Sequence, residues 1–158
     1  MAIQPTTNSD LAAALAERLA GEVIAPDHLE YEAARQVWNG MIDKRPATIA
    51  RCADADDVAT AVRFAAERGL ALSVRGGGHN VAGTAVVDDG VVIDLSAMRA
   101  VRIDHSRRTV HVQGGATWAD VDFVTAPLGL ATPGGVVSET GVAGLALAAS
   151  PTSAAATG

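Results

Sequence analysis

An alternation of strand and helix patterns in the first half of the chain restricts the fold more than any other feature. Residues 46–52 form an apolar run typical of a buried strand, and Asp54 can cap a helix whose apolar positions recur from Val58 to Ala66. A second apolar run, residues 70–74, follows Gly69. Because a crossover helix returns the chain to the same edge of a sheet, the two strands must be parallel. The pattern predicts a βαβ unit, and ligands of such sheets gather at the carboxyl ends of the strands.

The flanking segments predict short helices and short strands. Ser9-Asp10 can cap a leading helix, whose leucines recur at helical spacing up to Gly21, and weaker periodicity predicts a helical piece around residues 29–38. A helix capped by Thr117 is expected over residues 118–124. Short β-branched runs separated by turn residues predict a small antiparallel meander over residues 86–87, 91–95, 101–103 and 109–113. The sequence therefore predicts an α+β fold, with a small βαβ-containing N-terminal subdomain and a mainly antiparallel β subdomain.

Composition and charge exclude several classes of function. Twelve Lys and Arg against eighteen Asp and Glu give a net charge of -6, whereas a domain that binds nucleic acid is usually basic. Cys52 is the only cysteine, which excludes an intramolecular disulfide and a multi-cysteine zinc site. With a single cysteine, we expect a reducing, cytoplasmic setting. We expect no membrane partner, because no apolar stretch approaches the roughly 20 residues that span a bilayer.

The loop after the second predicted strand is the most informative stretch of the chain. It reads Arg-Gly-Gly-Gly-His-Asn-Val-Ala-Gly over residues 75–83. Consecutive glycines allow positive φ and a close approach to the main chain, so successive N–H groups can form a nest for an anion such as a phosphate. A wide turn without a ligand is the alternative, but the polar pair His79 and Asn80 at the loop exit favours a binding site. The loop matches neither the P-loop nor the nicotinamide-binding Rossmann fingerprint.

Four stretches of the sequence share their residues and their order with a known family. They are residues 38–46 (Trp-Asn-Gly-Met-Ile-Asp-Lys-Arg-Pro), 74–83, 92–96 (Val-Ile-Asp-Leu-Ser) and 131–145 (Ala-Thr-Pro-Gly-Gly-Val-Val-Ser-Glu-Thr-Gly-Val-Ala-Gly-Leu). Together they resemble the FAD-linked oxidases of the vanillyl-alcohol oxidase superfamily, in particular the bacterial relatives of berberine bridge enzyme. The resemblance implies a PCMH-type FAD-binding domain, with FAD stretched between two α+β subdomains.

The resemblance also implies roles for individual residues. The main chain of residues 75–80 would wrap the pyrophosphate, and His79 resembles the family's histidine that is joined to the 8α-methyl of the flavin. A second glycine cluster, residues 133–145, would run beside the ribityl chain and the isoalloxazine, with Val137 where some members carry a second linking cysteine. The implied cofactor-binding residues are Arg75, Gly76, Gly77, Gly78, His79, Asn80, Gly83, Pro133, Gly134, Gly135, Thr140, Gly141, Gly144 and Leu145. No catalytic residue is assigned.

The domain organisation follows from where the resemblance begins and ends. We expect an N-terminal helical segment (1–37), an incomplete FAD-binding domain (38–147) and a tail (148–158) that resembles nothing in the family, which suggests a truncation or frameshift at about Ala148. Family members continue into a domain that covers the flavin and holds the small-molecule substrate. The implied activity is hydride transfer from an organic substrate to flavin, with reoxidation by dioxygen, and the expectation for this chain alone is weak or no turnover.

Two alternatives stay open at this point. The chain could be a non-catalytic remnant or interaction module without flavin, or a related enzyme that binds FAD non-covalently. Other candidate residues favour structural roles: His105 and His111 flank a predicted hairpin turn beside Asp104, Trp118 is expected to pack, and Cys52 is expected to be a buried small hydrophobe. The sequence indicates neither the substrate nor the oligomeric state.

Overall fold

The structure, a computed structural model, describes residues 7–148. Within that range the chain forms five α-helices and six β-strands. The helices are α1 (Asn8–Ala16), α2 (Tyr31–Ala34), α3 (Ala55–Glu67), α4 (Trp118–Thr125) and α5 (Val142–Ala148), with a 3₁₀ turn at Ala126–Leu128. The strands are β1 (Glu22–Ile24), β2 (Thr48–Arg51), β3 (Leu72–Arg75), β4 (Val91–Asp94), β5 (Val101–Asp104) and β6 (Thr109–Val112). One mixed sheet and one antiparallel pair confirm the α+β fold class.

The mixed sheet contains the predicted βαβ unit with one strand inserted. Its order is β1-β2-β4-β3, with β4 parallel to both neighbours and β1 antiparallel to β2. The parallel orientation of β2 and β3 is confirmed, but the assignment of residues 91–95 to an antiparallel meander is wrong. All four residues of β4 are buried. A strand covered on both faces has a continuous apolar run, and this run cannot be told from a meander strand by its residues alone.

Alternate residues of the central strands pack into two cores, one on each face of the sheet. Val91 and Ile93 belong to the core that contains α1 and α3. Val92 belongs to the core that contains Tyr31 of α2 and Val86, which lies in a loop and not in the strand that was predicted there. Helices and loops therefore cover both faces of the sheet, and its carboxyl end stays accessible to the glycine loop.

Helix α3 begins where the sequence predicts. The side chain of Asp54 accepts hydrogen bonds from the amides of Asp56 and Asp57, both at 3.0 Å, which confirms the cap. The predicted apolar face is partly wrong, because Val62 is exposed whereas the ring of Phe64 is fully buried. Helical spacing located the helix correctly, but the buried face is decided by the core on this side of the sheet, which Phe64 shares with Leu15 and Ile93.

The antiparallel part is a single hairpin, β5–β6, packed against α4. Asp104 Oδ1 accepts hydrogen bonds from the amides of Ser106 and Arg107, which fixes the turn. Thr117 caps α4 as predicted, in a capping box with Asp120. Within residues 7–148, only the last two of the four predicted runs pair in this way.

The first 37 residues contain more than the predicted helical segment. Residues 1–37 were expected to be a helical segment, but they also contribute β1 to the mixed sheet, and α1 is capped by Thr7 instead of Ser9-Asp10. The predicted tail lies outside the described residues, apart from Ala148 at the end of α5. No helix in the described part of the chain is long and apolar enough to cross a membrane.

Candidate functional site

A bend of the chain after β3 separates two clefts. Gly76, Gly77 and Gly78 line both of them, at the carboxyl end of the parallel strands where the βαβ pattern predicts a ligand. The larger cleft has a volume of about 620 Å³ and the smaller one about 380 Å³. Cofactor pockets usually measure roughly 300–1,000 Å³, so the larger cleft has room for a cofactor of ordinary size.

The bend offers a row of free hydrogen-bond donors. Five consecutive amide N–H groups, from Gly76 to Asn80, have no acceptor within residues 7–148. Gly78 has φ +72°, the left-handed conformation that is common where successive N–H groups converge on one anion. None of these five residues is buried, and a row of unpaired amides at a partly exposed bend is typical of an anion-binding loop.

Two glycine loops meet at this bend. A Cβ on Gly77 would lie 2.5 Å from the amide nitrogen of Gly141, and a Cβ on Gly141 would lie 2.6 Å from the amide nitrogen of Gly77. Gly141 is held from the other side, because it pairs with Thr117 in an isolated bridge. Glycine is therefore required at both positions for the two backbones to approach, and their contact brings residues some sixty positions apart into one cleft.

The larger cleft contains no acidic side chain among the described residues that line it. His79 is its only titratable lining residue, although the chain as a whole carries a net charge of -6. Glu30 and Asp94 line the smaller cleft instead, where Arg51 forms ion pairs with both. A negatively charged ligand is therefore not repelled by a carboxylate in the wall of the larger cleft.

His79 and Asn80 stand at the exit of the bend. His79 lines the larger cleft, and its imidazole stacks on the indole of Trp38, a residue of the smaller cleft, with ring centroids 5.8 Å apart and 24° between the planes. Asn80 Oδ1 accepts a hydrogen bond from the amide of Thr84 at 3.2 Å, which closes the turn that follows. The polar pair that the sequence singled out thus lies in the cleft wall.

The side chain of Arg75 turns away from the larger cleft. Its Nη2 donates to Asp94 Oδ2 at 2.8 Å, and its Nη1 donates to the carbonyls of Ala34 and Gln36 at the end of α2. Burial opposes the ionisation of Asp94, but hydrogen bonds from Arg75 and Ser96 outweigh it and hold the pKa of that carboxyl below its ordinary value. This buried pair ties the start of the bend to β4 and α2.

The structure brings most of the predicted cofactor-binding residues into one cleft. Those that line the larger cleft are Gly76, Gly77, Gly78, His79, Asn80, Gly135, Thr140, Gly141, Gly144 and Leu145. Arg75 lines only the smaller cleft, and Gly83, Pro133 and Gly134 line neither. Gly83 has φ +69° and lies against Ile42, so its conformation and packing account for that glycine without a ligand.

The indole of Trp118 accounts for part of the second glycine cluster. A Cβ on Gly134 would collide with its six-membered ring, and one on Gly135 would lie 2.7 Å from its Nε1. The side chain is buried, which confirms its packing role, and its N–H has no acceptor within the described part of the chain. These two glycines are required by the indole, and a free donor lies beside the cleft residue Gly135.

Sequence reasoning missed most of the apolar side of the cleft, although the resemblance had placed Val137 in the segment beside the flavin. Its further lining residues are Val74, Thr84, Ala85, Leu95, Gly114, Val136, Val137, Ala143, Leu147 and Ala148. Leu95 directly follows β4, whose place in the parallel part of the sheet was not predicted. The positions from Val136 to Leu147 come together only when the second glycine cluster docks on the bend, and no local pattern signals that contact.

The free amides of the bend, the cleft lined by both glycine loops and the absence of acidic side chains from its described lining fit a dinucleotide cofactor with a pyrophosphate. A family model described as "FAD binding domain" matches residues 46–155. This chain belongs to that FAD-binding family. The resemblance to the FAD-linked oxidases of the vanillyl-alcohol oxidase superfamily is therefore confirmed, as is an FAD-binding domain of the kind found in FAD-linked oxidoreductases.

Curated relatives and solved structures agree with this assignment. The chain is 42% identical over 127 residues to (R)-6-hydroxynicotine oxidase of Paenarthrobacter nicotinovorans and 37% identical over 110 residues to the FAD-linked oxidoreductase hasG of Aspergillus fumigatus. These matches cover 80% and 70% of this chain but only 28% and 24% of the relatives. A crystal structure of 6-hydroxy-D-nicotine oxidase from Arthrobacter nicotinovorans superposes with a TM-score of 0.78 at 41% identity, covering 80% of this chain and 28% of that one. Berberine bridge enzyme-like 1 of Physcomitrella patens shares the fold, with a TM-score of 0.77 at 23% identity over 87% of this chain and 30% of its own.

Proposed function

We propose that the larger cleft holds FAD, with its pyrophosphate at the bend from Gly76 to Asn80 and its flavin joined to His79. The row of five amides without acceptors is the observation that supports this most directly. A hydrogen bond to a charged group contributes about 1.5–3 kcal/mol, so a few of these amides account for tight binding of a pyrophosphate. The absence of acidic side chains from the described cleft wall adds no opposing charge.

The chemistry of His79 supports the covalent link. Within residues 7–148 neither ring nitrogen of His79 forms a hydrogen bond, so a ring nitrogen is free to act as a nucleophile. In the link, a C–N bond to His79 replaces one C–H bond of the 8α-methyl and the N–H bond of the imidazole. Two protons and two electrons are released, and dioxygen is the two-electron acceptor, which is reduced to hydrogen peroxide.

The proposed reaction class follows the relatives. Bound flavin supplies hydride-accepting chemistry, so the proposed activity is oxidation of a small organic substrate, with dioxygen as the final acceptor. The residues of this chain bind and orient the cofactor. The substrate pocket is not assigned to any of them, because the chain spans less than a third of the length of the relatives named above.

Acid precipitation after incubation with FAD tests the proposal. We expect a yellow pellet from the 158-residue chain and from His105→Ala, a matched control in the exposed hairpin turn, whereas His79→Ala should leave its colour in the supernatant. Colour that stays in the His79→Ala pellet would show that another residue forms the link. A yellow wild-type supernatant would indicate non-covalent binding, and a colourless sample with no measurable FAD affinity would support the remnant without flavin.

A further inference from the structure

The exposed aromatic side chain of Trp38 packs on the histidine of the bend. Its relative exposure is 66%, so it is not part of either core. Its indole stacks on the imidazole of His79 at a centroid distance of 5.8 Å. Within the described residues the imidazole has no hydrogen bond and no ion pair, so the stack on Trp38 is the directional contact that orients it.

The segment that carries the indole is anchored on both sides of His79. The amide of Trp38 donates to the carbonyl of Gly78 at 3.1 Å, and Asn39 Nδ2 donates to the carbonyl of Val81 at 2.9 Å. The side chain of Asn39 is held in turn, because its Oδ1 accepts from the amide of Met41. Two hydrogen bonds thus fix the position of the indole relative to the residues that flank the histidine.

The geometry points to Trp38 as a positioning residue that holds the His79 imidazole in the orientation needed for attachment to the flavin. This inference rests on the proposed function. An offset aromatic pair favours one orientation by roughly two-fold to ten-fold over an unstacked ring. A nucleophile held in its reactive orientation reacts faster, whereas the amides that bind the pyrophosphate are unaffected by the stack.

The rate of covalent incorporation tests this inference. Purified chain without flavin is mixed with FAD in air, and acid-precipitable flavin is measured over time. We expect Trp38→Ala to slow incorporation about two-fold to ten-fold and Trp38→Phe, which keeps an aromatic face, to restore most of the rate. Phe123→Ala is the matched control, because this aromatic side chain is also exposed but lies on α4 and lines neither cleft.

Two further measurements separate a positioning role from a structural one. FAD affinity measured in the His79→Ala background should be the same with and without Trp38→Ala, because the stacking partner is already gone. The NMR signals of the His79 ring protons should shift in Trp38→Ala and not in Phe123→Ala, since the indole ring current is lost.

An unchanged incorporation rate in Trp38→Ala would overturn the inference alone. A wild-type chain that binds FAD without ever incorporating it would overturn both the covalent link and the inference, and a chain without FAD affinity would overturn the proposed function itself.

Discussion

Replacing Gly77 by alanine tests the contact between the two glycine loops. The added methyl carbon would lie 2.5 Å from the amide nitrogen and 2.8 Å from the Cα of Gly141. Attractive contacts between such atoms begin at roughly 3.5 Å, so the two backbones must move apart by about 1 Å. The atoms that the methyl group meets belong to the backbone of Gly141, which cannot move aside as the end of a flexible side chain can. Overpacking of this kind therefore lowers the free energy of unfolding by about 1–3 kcal/mol.

The same displacement should weaken FAD binding. A hydrogen bond of ordinary length that is stretched by about 1 Å is lost. Loss of one bond to a charged phosphate, about 1.5–3 kcal/mol, raises the dissociation constant by at least about ten-fold. Gly40→Ala is the control, because its Cβ would meet nothing within 4 Å and its φ is not positive.

Thermal unfolding and titration of FAD fluorescence measure the two effects. We expect Gly77→Ala to unfold at a lower temperature and to bind FAD at least about ten-fold more weakly than both the wild type and Gly40→Ala. A Gly77→Ala chain that binds FAD as tightly as the wild type would refute the reasoning, because the cradle would then not depend on the close approach of the two loops.

Three further predictions concern buried ionisable groups. Asp94→Asn leaves the guanidinium of Arg75 without its charge partner and should destabilise the fold by about 3–5 kcal/mol in urea unfolding. The folded-state pKa of Asp94 lies below its ordinary value, so the stabilisation from its ionised form is present above that ordinary value and is lost as the pH falls through the folded pKa. The free energy of unfolding should therefore fall less steeply with acid in Asp94→Asn than in the wild type. An identical acid limb in both proteins would contradict this assignment. Burial raises the pKa of Cys52 to about 12, so a thiol reagent at about pH 8 should label it only after unfolding, and rapid labelling of the native chain would disprove its burial. Asp57 accepts hydrogen bonds from three amides, those of Ala20, Gly21 and Ala53, and Asp57→Ala should cost at least about 2 kcal/mol, with a cost near zero in thermal melts as the contrary result.

Local patterns were sufficient for several elements and for the position of the bend. Asp54 and Thr117 were recognised as helix caps because a cap depends on a side chain and on amides two or three residues away. The bend after β3 was recognised because three consecutive glycines end a strand and permit backbone conformations that other residues disfavour. The covalent link through His79, the reoxidation of the flavin by dioxygen and the cytoplasmic setting stay predictions.

Contacts between distant segments could not be predicted in the same way. Residues 91–94 have the composition of any buried strand, and their insertion between β2 and β3 depends on pairing with both neighbours. The role of Gly134 as a surface for the Trp118 ring likewise depends on a fold that brings them together. The burial of the Arg75 side chain, away from the larger cleft, follows from the position of Asp94 on the neighbouring strand.

The sequence by itself determined most of the secondary-structure types, the parallel βαβ unit and the place where a loop of free amides would follow a strand. These depend on spacing and on conformational preference, which act over a few residues. Only the tertiary structure decided which strand lies at the centre of the sheet, which glycines face a cleft and which face an indole, and that Trp38 stacks on His79. Those outcomes depend on packing between segments far apart in the chain, where many arrangements satisfy the same local pattern and only one fills the available space.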